Sequence, residues 1–239
     1  MDQEPLVLND KTAETTQKQQ IKSGDFIEIR FTGFVNGKPF DSNISEDLKK
    51  LNPEAEPEKT IIIVGKEMVV PGLDKEFVGK EFNKEYSITI SYKEGFGQRY
   101  KELIRTIPLK IFTQQKIVPR PGASFVLDNR LAKVIAVSGA RVITDFNNPL
   151  AGKDLEYKFI AVRPVTDLKE KVEAVCKLIF HFIPKIEIEK NAVTIHGPKV
   201  LESIIKHREP EFNNLLNAQV HFKESAPEKL EEKENPDNI

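Results

Sequence analysis

Residues 25–35, DFIEIRFTGFV, set Phe26, Glu28 and Arg30 in alternation with Ile27, Ile29 and Phe31, the period-two pattern of a half-buried strand. The run stops at Asn36-Gly37, and KPFDSN follows directly. Asn-Gly between two β-like runs is the strongest short hairpin signal, because both residues tolerate the positive φ of a type I′ turn. A chain that opens this way is committed to an antiparallel sheet. The second arm carries an aromatic and a carboxylate side by side, Phe40 and Asp41. Two readings of the pair stand: Phe40 is core and Asp41 starts the next turn, or the two line a site.

The neighbouring stretches supply partners for the hairpin. TIIIVG (60–65) is a short β-branched run, read as a buried strand, and EYSITIS (85–91) alternates again. VPGLDKEFVG (70–79) has Pro71 near a helix start and Gly79 past its end, the usual punctuation of a short helix. LEYKFIAVRPV (155–165) is a strand far along the chain that must pair with this set. Between them, residues 99–147 hold nine Arg and Lys against three acids, a surplus of six in a chain whose net charge is −1. Their later half reads as a meander: SFVLD, LAKVIAV, a turn at Ser138-Gly139, then ARVITDF. An inserted module with its own small sheet is expected there.

From Thr166 the period becomes helical. Thr166 is the expected N-cap, and Leu168, Val172, Val175, Ile179 and Phe182 form one apolar face, with Cys176 beside it as a small core residue. KIEIEKNAVTIHG (185–197) predicts a hairpin with Ile186 and Ile188 facing Val193 and Ile195. A helix from Pro198, a break at Pro210, more helix and a last strand complete a small α+β unit over 166–222. Its core is near the lower size limit for self-sufficiency, and LIFHFIP (178–184) is more apolar than one stripe requires. The surplus is expected to dock either on the body of the same chain or on a second copy, as a homodimer. Residues 1–20 and 223–239, the latter acidic, are too polar to offset the cost of ordering and read as tails.

Composition then excludes several classes of function. One cysteine rules out an internal disulfide framework and fits a reducing, cytoplasmic setting. No apolar run reaches the 18 or so residues of a membrane span. The four histidines, 181, 196, 207 and 221, lack metal-ligand spacing, no phosphate loop is present, and no serine stands in a nucleophile elbow. The insert's positive charge with Phe125 and Phe146 could meet phosphates and bases, yet it lacks an RNA-binding motif, which argues against nucleic acid.

The order of the remaining motifs carries a resemblance. Phe31-Thr32-Gly33, the Asn-Gly turn, Phe40-Asp41-Ser42, VGKEMVVPGLDKEFVG, YKEGFG and NPLAGKDLEYKF follow one another with the spacing of FKBP-type peptidyl-prolyl isomerases. The chain is similar to the SlyD-like group, whose flap carries an inserted chaperone domain, and to the long archaeal members with a C-terminal extension. The resemblance covers 22–164 and weakens beyond. It implies an α+β fold: an FKBP-like antiparallel half-barrel sheet with a short helix over 21–98 and 148–165, a small β-rich domain in the flap over 99–147, and the C-terminal α+β domain.

By resemblance, a shallow apolar groove for the substrate proline is walled by Phe31, Phe40, Asp41, Val69, Val70, Phe96, Leu150 and Tyr157, with Met68 at its rim and Leu73 as its floor. Phe31, Phe96 and Leu73 stand where the family commonly has two tyrosines and a tryptophan, so Asp41 is expected to lose a donor and macrocyclic inhibitors to bind weakly. The implied activity is cofactor-free prolyl isomerisation on unfolded or partly folded clients, coupled to chaperone binding by the insert. The alternative is a holdase chaperone with residual isomerase activity.

Overall fold

The computed structural model describes residues 20–127, 130–190 and 192–225. The expected tails fall outside these residues, apart from Gln20, which bridges to Glu81, and residues 223–225.

Five strands form the first sheet: β1 (Phe26–Val35), β2 (Lys38–Ser42), β3 (Thr60–Ile63), β4 (Glu85–Ile90) and β9 (Leu155–Pro164). Their order is β2-β1-β9-β4, with β3 also on β1, and every pair is antiparallel. The late strand therefore lies at the centre, with Gly33 opposite Tyr157 and Ile88 on Tyr157's other side. Ile27, Ile29, Phe31, Tyr157, Phe159 and Ala161 bury one face of this sheet against Leu73 and Phe77 at helix α2 (Pro71–Glu76). A further short helix, α1 (Ser45–Leu51), was not expected from the sequence. Its signal is there in SEDLKKL, with acids in the first turn and lysines in the last, each favoured by the helix dipole.

The second sheet has the order β5-β8-β7-β6, built from β5 (Ile104–Pro108), β6 (Ser124–Leu127), β7 (Arg130–Ser138) and β8 (Arg141–Asp145). The meander matches expectation; β5 and the following helix α3 (Leu109–Gln114) are additions. Its core is small: Phe112, Val134 and Val142, with Phe125 edge-on to Phe112 at 5.0 Å.

The third sheet, β10 (Lys185–Glu189), β11 (Ala192–Gly197) and β12 (Gln219–Glu224), is flanked by α4 (Leu168–Phe180) and α5 (Val200–Leu216). Ile186 and Ile188 pair with Ile195 and Val193 as expected. Four details differ. Asp167 rather than Thr166 caps α4, accepting the Glu170 N–H at 2.9 Å. Helix α4 ends at Phe180, His181 turns left-handed, and Phe182 is left 49% exposed instead of continuing the stripe. Pro210 lies inside α5 without breaking it. The missing N–H costs about 3 kcal/mol, but Leu201 and Ile205 on one side and Phe212 and Leu216 on the other are buried, at about 1.5–3 kcal/mol each. Finally, β12 takes in Lys223 and Glu224, because β11 offers parallel partners as far as Gly197.

This third unit docks on its own chain. Phe26, Ile63 and Val165 join one apolar core with Val172, Val175, Ile205 and Phe212, and the Val165 N–H donates to the Phe26 carbonyl at 2.7 Å. A rim of ion pairs surrounds the contact. Arg163 bonds to Glu28 and Glu170, Lys59 to Glu170, and Lys66 to Glu211 at 3.4 Å. Partly exposed pairs contribute about 0–1 kcal/mol each, so the apolar contact dominates the docking. Cys176 is fully buried in this core, and burial pushes its thiol up to about 12.

Candidate active site

The β1–β2 hairpin explains how neighbouring residues reach one face. Asn36 and Gly37 both have positive φ, +50° and +72°, as the primed turn requires. Val35 then pairs with Lys38 and Phe34 with Pro39, but Gly33 pairs with Asp41. Phe40 is the extra residue of a β-bulge, which breaks the alternation and re-aims its side chain. Its ring lies over Gly33, where a Cβ would meet Phe40 Cζ at 2.7 Å and Tyr157 Cε1 at 2.9 Å. Asp41, opposite Gly33, faces the same side. Asp41 thus stands at a cleft, and Phe40 in the file of rings that extends it.

The cleft has a volume of about 380 Å³ and is lined by Phe31, Asp41, Met68, Val69, Val70, Leu73 and Tyr157, among others. A file of rings extends it. Phe31 is tilted against Tyr157 at 6.2 Å, Phe40 meets Tyr157 edge-on at 5.8 Å, and Phe96 meets Phe40 edge-on at 6.0 Å. Nine of the ten residues expected from the sequence thus belong to the cleft or to this ring file. Leu150 does not line the cleft. It sits on the loop whose Gly152 N–H bonds to the Gly97 carbonyl, beyond Phe96.

Sequence reading missed the opposite wall: Asn43, Leu48, Ala55, Glu56 and Glu58, because it left 43–59 unassigned, and Thr60, which it read only as the start of a buried strand. Asn43 has a definite task there. Strand β3 pairs β1 up to Ile29 and β2 pairs it from Thr32, leaving a gap. The Asn43 amide fills it, accepting the Phe31 N–H at 2.8 Å and donating to the Ile29 carbonyl at 2.8 Å and to Thr60 Oγ1 at 2.9 Å. On the near wall, buried Asp74 accepts the N–H groups of Gly65 (3.0 Å) and Glu67 (2.8 Å), fixing the turn that leads into Met68, Val69 and Val70.

The electrostatics are those of a shallow, partly exposed site. Asp41 keeps more than a third of its surface open, yet lost hydration raises its carboxyl above the ordinary value; the Ser42 N–H opposes this. Tyr157 is 1% exposed, and burial, reinforced by the charge of Asp41, raises its phenol well above the usual range. Tyr157 therefore stays a neutral donor. A larger cleft of about 620 Å³ lies alongside, but Glu28, Arg30, Lys59 and Arg163 make it polar, and Glu28, Lys59 and Arg163 are tied into ion pairs. Its apolar lining is confined to Ile29, Ile44 and Pro57, without an aromatic ring.

A half-barrel of antiparallel strands around a short helix, with a partly apolar cleft beside that helix, defines the class. The profile of the FKBP-type peptidyl-prolyl cis-trans isomerase matches residues 17–112, and that of the FKBP26 IF domain matches residues 105–150. The chain is 34% identical over 148 residues to a short-type peptidyl-prolyl cis-trans isomerase of Methanocaldococcus jannaschii, covering 61% of this chain and 94% of that protein. It is 32% identical over 108 residues to the SlyD isomerase of Treponema pallidum, covering 44% of this chain and 61% of that one. A trigger factor of Sulfurovum is similar at 23% identity over 93% of this chain and 44% of its own length. The chain belongs to the FKBP-type peptidyl-prolyl cis-trans isomerase family.

Proposed function

We propose that the cleft between Phe40, Tyr157 and Val69-Val70 holds the proline of an X-Pro bond in partly folded polypeptides, and that the insert binds the same client as a chaperone. The observation that carries the catalytic part is the file of aromatic rings joined to an apolar cleft with Asp41 at its edge. Resonance puts the barrier to rotating a peptide bond at about 18–20 kcal/mol. At X-Pro the isomers differ by only about 0.5–1 kcal/mol and exchange over tens to hundreds of seconds.

In the transition state the amide is twisted and its carbonyl less polar. An apolar cleft withholds the water that favours the planar, polar form, so it binds the twisted form better, and that difference is catalysis. A 10⁴-fold acceleration requires about 5–6 kcal/mol. Desolvation and a hydrogen bond or two supply this without a cofactor. The Tyr157 hydroxyl, held protonated by burial and by the charge of Asp41, is available as a donor in the cleft.

The chaperone part is supported by apolar side chains that the insert leaves in water: Val118 at 73%, Val126 at 61%, Leu131 at 51% and Ile135 at 42% exposure. Val126 and Leu131 form a cross-strand pair on one face. Positive charge around them would suit an unfolded chain rich in acids. Clients held there raise the local concentration of their prolines at the cleft.

Refolding of a protein limited by prolyl isomerisation tests both parts, with residues 99–147 intact and replaced by a short loop. Activity on a tetrapeptide should survive the replacement while activity on the protein client falls. Equal losses on both substrates would refute the division of labour; background turnover with intact suppression of aggregation would favour the holdase reading. Among the described residues no helix is long and apolar enough to cross a membrane, and the lone cysteine suits a cytoplasmic setting. A homodimer through the exposed Phe182, Ile183, Val200 and Ile204 is the remaining partner proposal, tested by light scattering at micromolar concentration.

A further inference from the structure

We infer that the third unit is a positioning part of the isomerase groove, acting through Met68. The inference rests on the reading of the cleft given above. Met68 lies in two places at once: it packs against the apolar core formed by α4, α5 and the third sheet, and against the core of the first sheet, and it lines the cleft. Among the described apolar residues that line the cleft, Met68 alone also packs against the core of the third unit.

The turn that carries Met68 is tight and held from two sides. Gly65 and Glu67 both take left-handed backbone, φ +84° and +53°. From one side the buried Asp74 carboxylate fixes their N–H groups. From the other, Lys66 reaches Glu211 on α5 at 3.4 Å, and the Met68 side chain is wedged between the units with its Sδ accepting the Ile63 N–H at 3.3 Å. A methionine side chain has three soft torsions and takes the shape of what surrounds it. Where α5 sits therefore decides where the Met68 thioether sits, and with it the rim over which a proline must enter. Val69 and Val70 follow directly and form the near wall. Small displacements of such positioning groups cost binding and rate because the bound geometry must be close to the reactive one. Glu211, Phe212 and Lys66 act as positioning residues, without touching substrate.

The test uses the full chain. It has 2 methionines, Met1 and Met68, so labelling the methionine methyls with ¹³C leaves one internal probe. Saturation with a proline tetrapeptide should shift the Met68 methyl signal. Phe212→Leu and Glu211→Gln, both remote from substrate, should shift the same signal in the free protein. They should raise KM about two- to fivefold with kcat little changed, the size of coupling carried by packed contacts. A role confined to stability would lower the melting temperature and leave KM and the methyl signal as they were; that result overturns the inference. A methyl signal that ignores the tetrapeptide would instead overturn the assignment of the cleft, and the coupling with it.

Discussion

Gly33 and Tyr157 face each other across the β1–β9 pair, and the space that Gly33 leaves empty is filled by the Tyr157 and Phe40 rings. A methyl group there would stand 2.7 Å from one ring and 2.9 Å from the other, so both would have to move. Gly33→Ala is expected to cost about 1–3 kcal/mol by overpacking. It should reduce kcat/KM more than tenfold, since the displaced rings are the proposed groove itself. Denaturant midpoints and tetrapeptide turnover measure the two effects separately; a variant with parental turnover would contradict the ring arrangement.

Phe40 and Tyr157 differ in burial, and truncation should show it. Tyr157 is 1% exposed, whereas Phe40 is only half-buried. Tyr157→Ala is expected to cost about 3–5 kcal/mol of stability, and Phe40→Ala clearly less. Each should lower isomerase activity about tenfold or more, a loss of at least about 1.4 kcal/mol in transition-state binding. Circular dichroism establishes that each variant is folded before its activity is read. Unchanged turnover in both would remove the site from this cleft.

Asp41 sets a pH dependence of definite sign. Its ordinary value is 3.8 and its folded value is higher, so the neutral acid is the form that folding prefers. That contribution is complete below 3.8 and disappears as the pH rises through the folded value, beyond which ionised Asp41 works against stability. Asp41→Asn is accordingly expected to melt about 1–2 °C above the parent at pH 7, a small shift because the group is partly exposed, and level with it at pH 3. Thermal scans at the two pH values decide, and a gain at pH 3 only would reverse the sign.

Asn43 bridges the gap in β1, donating to the Ile29 carbonyl and accepting from the Phe31 N–H. Asn43→Asp turns the donor into an acceptor against that carbonyl. The variant should lose about 1–3 kcal/mol. Its loss should shrink below the carboxylate's pKa, where a proton restores a donor. Urea unfolding at pH 7 and pH 3 would show the recovery; equal losses at both would mean that the amide is not the bridge.

Local chemistry was enough to determine the elements whose causes are local. The Asn36-Gly37 turn, the alternation of β1, β4 and β9, the Pro71 start of α2 and the Ile186–Ile195 pairing are dictated by positive φ, period two and proline geometry, and the structure has them all. Of the ten residues that the order of motifs pointed to, nine lie in the cleft or in the ring file, while Asn43, Leu48, Ala55, Glu56 and Glu58 of the same cleft were not legible. Tertiary structure decided the rest, where a distant partner outweighs a local preference. Pro210 stays helical because buried residues on both sides of it outweigh a lost hydrogen bond. Leu150 does not line the cleft, although its loop is bonded to Gly97 through the Gly152 N–H. Phe40 turns inward because a bulge shifts the register against a strand whose own partner, β9, returns only after the insert. Met68 reads in sequence as a rim residue of one groove. Only folding, by seating α4 and α5 against β1 and β3, gives it two cores to answer to.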